Sequence, residues 1–120
     1  MTHKLEQRED GIVWLAFIGD LDEAAMTDYI KDFKPYLEAT TKAEPMRLLV
    51  DASRDGKMSS TARHTFADLN RDVRLGRIAI CHISRFGRVI ATFAMKATGR
   101  ANIRFFETEA EAVRWLNEAL

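Results

Sequence analysis

Four apolar runs alternate with four stretches of helical periodicity, and this alternation restricts the fold of the 120-residue chain more than any other feature. The runs are IVWLAFI at 12–18, MRLLVDA at 46–52, RIAICHI at 77–83 and NIRFFE at 102–107. Each has the length of a strand and is rich in aliphatic or aromatic side chains. Between them, apolar residues recur every three or four positions, the period of a helix with one buried face. Met26, Tyr29, Ile30, Phe33 and Leu37 form the first stripe, and Met58, Ala62, Phe66, Leu69 and Val73 the second. Phe86, Val89, Ile90, Phe93, Ala94 and Ala97 mark the third; Val113, Leu116 and Leu120 form the fourth, with Trp115 at its flank. Strands separated by helices pair in parallel through right-handed crossovers. LEQRE at 5–9 and the turn signal Asp10-Gly11 add an antiparallel hairpin strand in front. The expected order is ββαβαβαβα. It describes an α/β fold, one compact domain over 1–120, with a mixed, mostly parallel sheet of about five strands and four helices.

Boundary residues sharpen the picture. Asp22 is placed to cap the first helix, and Pro35 predicts a kink or break near Lys34. SRDGK at 53–57 reads as a loop. Gly76 and Gly99 are placed to end the second and third helices. Thr108 and Glu111 form a capping box at the last helix.

The balance of 47% apolar and 30% charged residues suits a soluble globular protein. MTHKLEQRED is too polar for a secretory signal, and no apolar run is long enough to span a bilayer, so a cytoplasmic location is expected. Cys81 is the single cysteine, which excludes an internal disulfide; in RIAICHI it reads as a buried small hydrophobe. Net charge is zero but unevenly spread: residues 71–105 carry eight basic side chains against Asp72 alone, a net +7 balanced by −7 elsewhere. Such a field steers an acidic partner or an anionic ligand. Zero overall charge, with no aromatic platform beside the arginines, argues against nucleic acid.

Ser60, His64 and Asp68 share one side of the second helix, which invites a triad reading. At 100° per residue, His64 and Asp68 lie about 160° from Phe66 and therefore face water, away from the desolvated donors that acyl transfer requires. The G-x-S-x-G elbow is absent. No catalytic residue is assigned. His3, His64 and His82 are scattered without metal-ligand spacing, and Cys81 and His82, adjacent in a strand, face opposite sides. DGKMSST lacks the spaced glycines of a phosphate loop. No metal or cofactor is implied. Ser59, Ser60 and Thr61 fall at the start of the second helix, where a hydroxyl caps free N–H groups. A phosphate there would be favoured by the helix dipole and would add a charge of about −1.5 to −2. Arg54 and Arg63 are near enough in sequence to pair with it; Arg85 and Arg88, in the basic segment, are further candidates for anion contact.

With these elements in place, a resemblance is visible. GDLD at 19–22 resembles the G-x-L-D element opening the first helix of STAS domains, the anti-sigma-factor antagonist family. LLVDASRDGKMSSTA at 48–62 is similar to that family's strand, loop and switch-serine segment. NIRFFETEAEAVRWL at 102–116 resembles its last strand and helix, as in the SpoIIAA-like or STAS/SEC14-like branch. The resemblance implies regulatory binding to a protein partner or a second copy, without catalysis. In the antagonist branch a serine in D-S-S-G is phosphorylated by a kinase that is also the anti-sigma factor. Here Met58-Ser59-Ser60-Thr61-Ala62 replaces that motif, and Ser60 or Thr61 matches the switch position. The STAS-like branch also implies an alternative, a small apolar ligand or lipid in a pocket lined by Trp14, Phe17, Phe86 and Phe93, residues that serve equally as core.

Overall fold

The computed structural model describes residues 3–41 and 43–118, apart from the side chains of Asp55, Phe86, Ile90 and Ala94. Strands β1 (His3–Gln7) and β2 (Val13–Phe17) form the expected hairpin, with His3 opposite Phe17 and Gln7 opposite Val13. The Asp10 carboxylate closes its turn by accepting the Ile12 N–H at 3.1 Å. Strands β4 (Met46–Asp51), β6 (Leu75–Cys81) and β7 (Ile103–Phe106) complete a five-stranded sheet ordered β1-β2-β4-β6-β7, parallel from β2 onward. The helices are α1 (Glu23–Glu38), α2 (Ser60–Leu69), α3 (Arg85–Thr98) and α4 (Glu109–Leu116).

The parallel strands lie side by side in chain order. Right-handed crossovers therefore deliver α1, α2 and α3 to the same face of the sheet. Alternation along each strand sorts the side chains accordingly. Leu15, Phe17, Leu48, Val50, Ile78 and Ile80 meet the stripe Met26, Tyr29, Phe33 and Leu37 on that face, together with Ala62 and Ala91. Trp14, Leu49, Ala79 and Cys81 point the other way and are covered by Ala112, Trp115 and Leu116 of α4.

Two short strands were not expected. Gly19–Leu21 (β3) and Asp55–Met58 (β5) pair in parallel beyond the ends of β2 and β4, so the predicted SRDGK loop is partly strand. The Gly19 N–H donates to the Arg54 carbonyl at 2.9 Å, the Lys57 N–H to the Asp20 carboxylate at 2.8 Å, and the Ser59 N–H to the Leu21 carbonyl at 2.9 Å. Together they form a clip that fixes where α2 begins. Gly56 lies against it so closely that a Cβ would stand 2.8 Å from the Gly19 carbonyl carbon and 2.9 Å from the Asp20 nitrogen.

Several boundaries differ from the sequence reading. Helix α1 runs unbroken through Pro35 to Glu38. Pro35 stands in its last turn on an exposed side, where the missing donor costs one bond near a terminus that is already being closed, the Ala39 N–H donating to the Pro35 carbonyl at 3.2 Å. Helix α2 stops at Leu69, well before Gly76, which belongs to β6. Fully buried Asn70 pairs with Asn102 through two side-chain amide hydrogen bonds of 3.2 and 2.9 Å, and Asp72 then turns the chain by accepting the Arg74 N–H at 2.9 Å. Val73 is thereby left outside the helix, 52% exposed. His82 leaves the strand in a left-handed conformation, φ 60°, instead of continuing it. Trp115 is buried rather than flanking; Leu120 lies outside the described residues. Helix α3 and its end at Gly99 are as expected, but its stripe is not: Val89, Phe93 and Ala97 are exposed while Ala91 is buried. Val89 and Phe93 stand two residues to either side of Ala91, roughly 160° around the helix from it.

Replacing Gly56 by alanine must push the β3 backbone away. Gly56→Ala is expected to lower unfolding stability by about 1–3 kcal/mol, the usual cost of overpacking, read as a shift of the urea midpoint. An unchanged midpoint would show that the clip yields freely.

Candidate functional site

The helix N-termini gather where the parallel strands end, the end at which open α/β sheets bind ligands and partners. Each is capped by a side chain. Asp22 accepts the Ala25 N–H at 2.9 Å, Ser59 the Ala62 N–H at 3.1 Å, Ser84 the Gly87 N–H at 3.0 Å and Thr108 the Glu111 N–H at 3.2 Å. The Glu111 carboxylate accepts the Thr108 hydroxyl at 2.9 Å, so the capping box closes side chain to side chain. Of the three candidate hydroxyls, Ser59 is the cap of α2, while Ser60 and Thr61 are exposed on its first turn.

The four candidate arginines do not converge. Arg54 is exposed on the connection between β4 and β5, and Arg63 is half-buried on α2. Arg85 is exposed at the start of α3, and the Arg88 guanidinium lies over the Phe105 ring, 5.1 Å from its centroid, which turns it toward the β7 edge. Only Arg54 and Arg63 belong to the segment around the α2 start.

Ser60, His64 and Asp68 all face solvent, and no hydrogen bond joins them among the described residues; Asp68 instead meets Arg71 at 3.5 Å. His64 has a different neighbour, the edge-on Phe93 ring of α3 at 6.2 Å. Val89 is 64% exposed and Phe93 47%, one helical turn apart. Helix α3 contains no acidic residue, and Arg85, Arg88 and Lys96 on it are exposed. The α2–α3 surface thus presents an apolar pair with cations on the same helix, beside two exposed hydroxyls. Periodicity alone assigns Val89 and Phe93 to a buried stripe, so the sequence gives no sign of this exposed pair.

The aromatic candidates for a ligand pocket are also dispersed. Trp14 packs on the α4 face and Phe17 on the α1–α3 face, three residues apart in one strand and so on opposite sides. Phe93 is at the surface, and the Phe86 side chain lies outside the described set. Phe17, Met58, Phe66, Ile83 and Ala91 line a crevice between α2 and α3 of about 60 Å³. That falls well short of the roughly 300–1,000 Å³ of sites that enclose small molecules.

Cys81 is buried, and its environment silences the thiol. Burial, and to a lesser extent the nearby charges of Glu109, Asp51 and Glu111, push its pKa up to about 11. Among the described residues no group of histidine, cysteine, aspartate and glutamate could hold a metal ion, and no helix is long and apolar enough to cross a membrane. At pH 8 the thiolate fraction of Cys81 is on the order of one in a thousand. Alkylation by iodoacetamide is therefore expected to follow global unfolding, its rate rising in step with the unfolded fraction in urea; rapid labelling of the native protein would contradict this.

The sequence matches the family model described as SpoIIAA-like over residues 12–117. Among solved structures, the chain is similar to a Shewanella loihica PV-4 protein of the DUF3478 family with a SpoIIAA-like fold, at TM-score 0.71 and 19% identity, covering 95% of this chain and 91% of that one. It is similar to the anti-sigma factor antagonist SpoIIAA in its unphosphorylated form, at TM-score 0.70 and 18% identity, covering 98% of this chain and 99% of that one. The Bacillus cell fate determinant SpoIIAA in the phosphorylated form gives TM-score 0.65 and 18% identity, covering 96% and 99%. No curated protein matches the sequence. At these identities the solved structures establish a shared fold.

Proposed function

The chain belongs to the SpoIIAA-like family, and from that premise we propose that it is a non-enzymatic regulatory module that docks a protein partner on its α2–α3 surface. The observation that carries the reading is the exposed pair Val89 and Phe93 on a helix without acids. Large apolar side chains left bare amid polar ones mark interaction sites, and aromatics surrounded by a polar rim supply most of the energy of such contacts. Arg85 and Lys96 select a partner surface with an apolar patch among carboxylates. The small volume of the α2–α3 crevice favours protein contact over a bound lipid.

A switch belongs to the same surface. One solved relative is an anti-sigma factor antagonist seen in phosphorylated and unphosphorylated forms. Here the exposed hydroxyls of Ser60 and Thr61 stand on the first turn of α2, about one turn from His64, the neighbour of Phe93. Phosphate on either hydroxyl would add negative charge to a surface that recruits acidic groups, and so would weaken docking. The exchange would take place in a bacterial cytoplasm.

Affinity capture from the source cells tests both parts. Wild-type bait is expected to retain a discrete partner. Phe93→Asp should cut that capture at least about tenfold, as loss of a central apolar contact does, with little change in thermal midpoint because the side chain is exposed. Undiminished capture by Phe93→Asp would sink the docking surface. Ser60→Asp or Thr61→Asp should also reduce capture; unchanged capture by both would remove the switch and leave the docking surface standing. A dimer in sedimentation that Phe93→Asp dissociates would identify the occupant as a second copy of the chain.

A further inference from the structure

A second concentration of charge lies where the parallel strands begin. A depression of about 550 Å³ there is lined by Pro45, Val73, Arg77, Arg100, Arg104 and Trp115, together with the backbone that opens β6 and β7. Among the described residues, three guanidinium groups line it and no carboxylate does. The parallel register explains the convergence: Ala79 stands beside Arg104, so Arg77 and Arg104 project from the same sheet face on neighbouring strands, one step apart on the diagonal. Both lie over Trp115, 4.9 and 5.7 Å from the ring centroid.

Two of the three cations are anchored by carbonyl oxygens. Arg77 donates to the Trp115 carbonyl at 2.6 Å and to the Glu118 carbonyl at 3.5 Å. Arg100 donates to the Asn70 carbonyl at 2.7 Å and to the Asp72 carbonyl at 3.1 Å. The acids at the rim do little to neutralise the group. The Glu118 carboxylate is 4.0 Å from Arg77 and 57% exposed, and that of Asp72 is bound chiefly by Arg74 at 2.8 Å and only secondarily feels the Arg100 charge. Among the described residues Arg104 has no acidic partner.

Carbonyl and ring contacts hold guanidinium groups in place without cancelling their charge. A guanidinium also carries more N–H donors than such contacts consume. Arg77 and Arg100 are already held and half-buried, and Arg104 adds an exposed guanidinium over the Trp115 ring; in a depression of ligand size such donors suit an oxyanion, because less ordering remains to be done on binding. We propose that this depression binds a small multivalent oxyanion, phosphate or carboxylate in kind, held by Arg77, Arg100 and Arg104. It is separate from the α2–α3 surface: it opens at the other end of the strands, over the face that α4 covers. The sequence showed the charge bias of 71–105 but placed anion contact at Arg54, Arg63, Arg85 and Arg88.

Titration with pyrophosphate and, separately, with citrate tests the site, followed by calorimetry and by the Trp115 indole resonance. At least one anion is expected to saturate the protein below about 1 mM and to shift that resonance. Arg104→Gln, a change at an exposed position, should weaken binding about tenfold, the effect of losing one charge-assisted hydrogen bond, while Lys31→Gln on the exposed side of α1 leaves it unchanged. Response to pyrophosphate alone identifies phosphate chemistry, and response to citrate alone identifies carboxylate chemistry. Failure of both anions to move the Trp115 resonance, or equal weakening by Lys31→Gln, would overturn the proposal.

Discussion

Three right-handed crossovers between strands that lie in chain order govern the rest of this structure. They commit α1, α2 and α3 to one face of the sheet and leave the other to α4, an eight-residue helix. The consequences are unequal. On the crowded face α3 packs against α2 and the sheet through Ala91, and its opposite side, with Val89 and Phe93, is left in solvent. On the sparse face one short helix must cover the start of β6 and β7, and Trp115 does so by lying under two arginines. Both surfaces that carry functional proposals thus follow from the order of the strands.

The clip of β3 and β5 links that architecture to the candidate switch. A helix start is defined to within a residue only if something outside the helix fixes it. Here the Leu21 carbonyl takes the Ser59 N–H, and Ser59 caps Ala62. The next two hydroxyls are thereby presented on the surface. The Asp20 carboxylate and the close approach of Gly56 hold the clip shut. GDLD and SRDGK, far apart in sequence, are therefore one structural unit. In the sequence they read separately as a helix start and a loop.

The main sheet, the α1 stripe, the Asp22 cap and the end of α3 were legible in the sequence because each rests on local chemistry or on a long periodic pattern. What was not legible depends on neighbours. Strands β3 and β5 are three and four residues long, too short for alternation to show. The second stripe seemed to continue to Val73, because its spacing happens to persist past the point where buried Asn70 and the Asp72 turn end the helix. Periodicity placed Val89 and Phe93 on one side of α3, but it carries no information about what covers that side. The separation of Trp14 from Phe17 was available from strand geometry: an offset of three residues puts two side chains on opposite faces. Convergence of Arg77, Arg100 and Arg104 required the β6–β7 register and the α2 terminus, neither of which composition can supply.

The central claim, that the bare side of α3 is where this protein meets its partner, can be tested by photo-crosslinking in the source cells. Benzoylphenylalanine would be placed at position 93, and in parallel at the exposed position 4 on β1. The account predicts one discrete adduct from position 93 and none of that mass from position 4. The same adduct from position 4, with none from position 93, would contradict it.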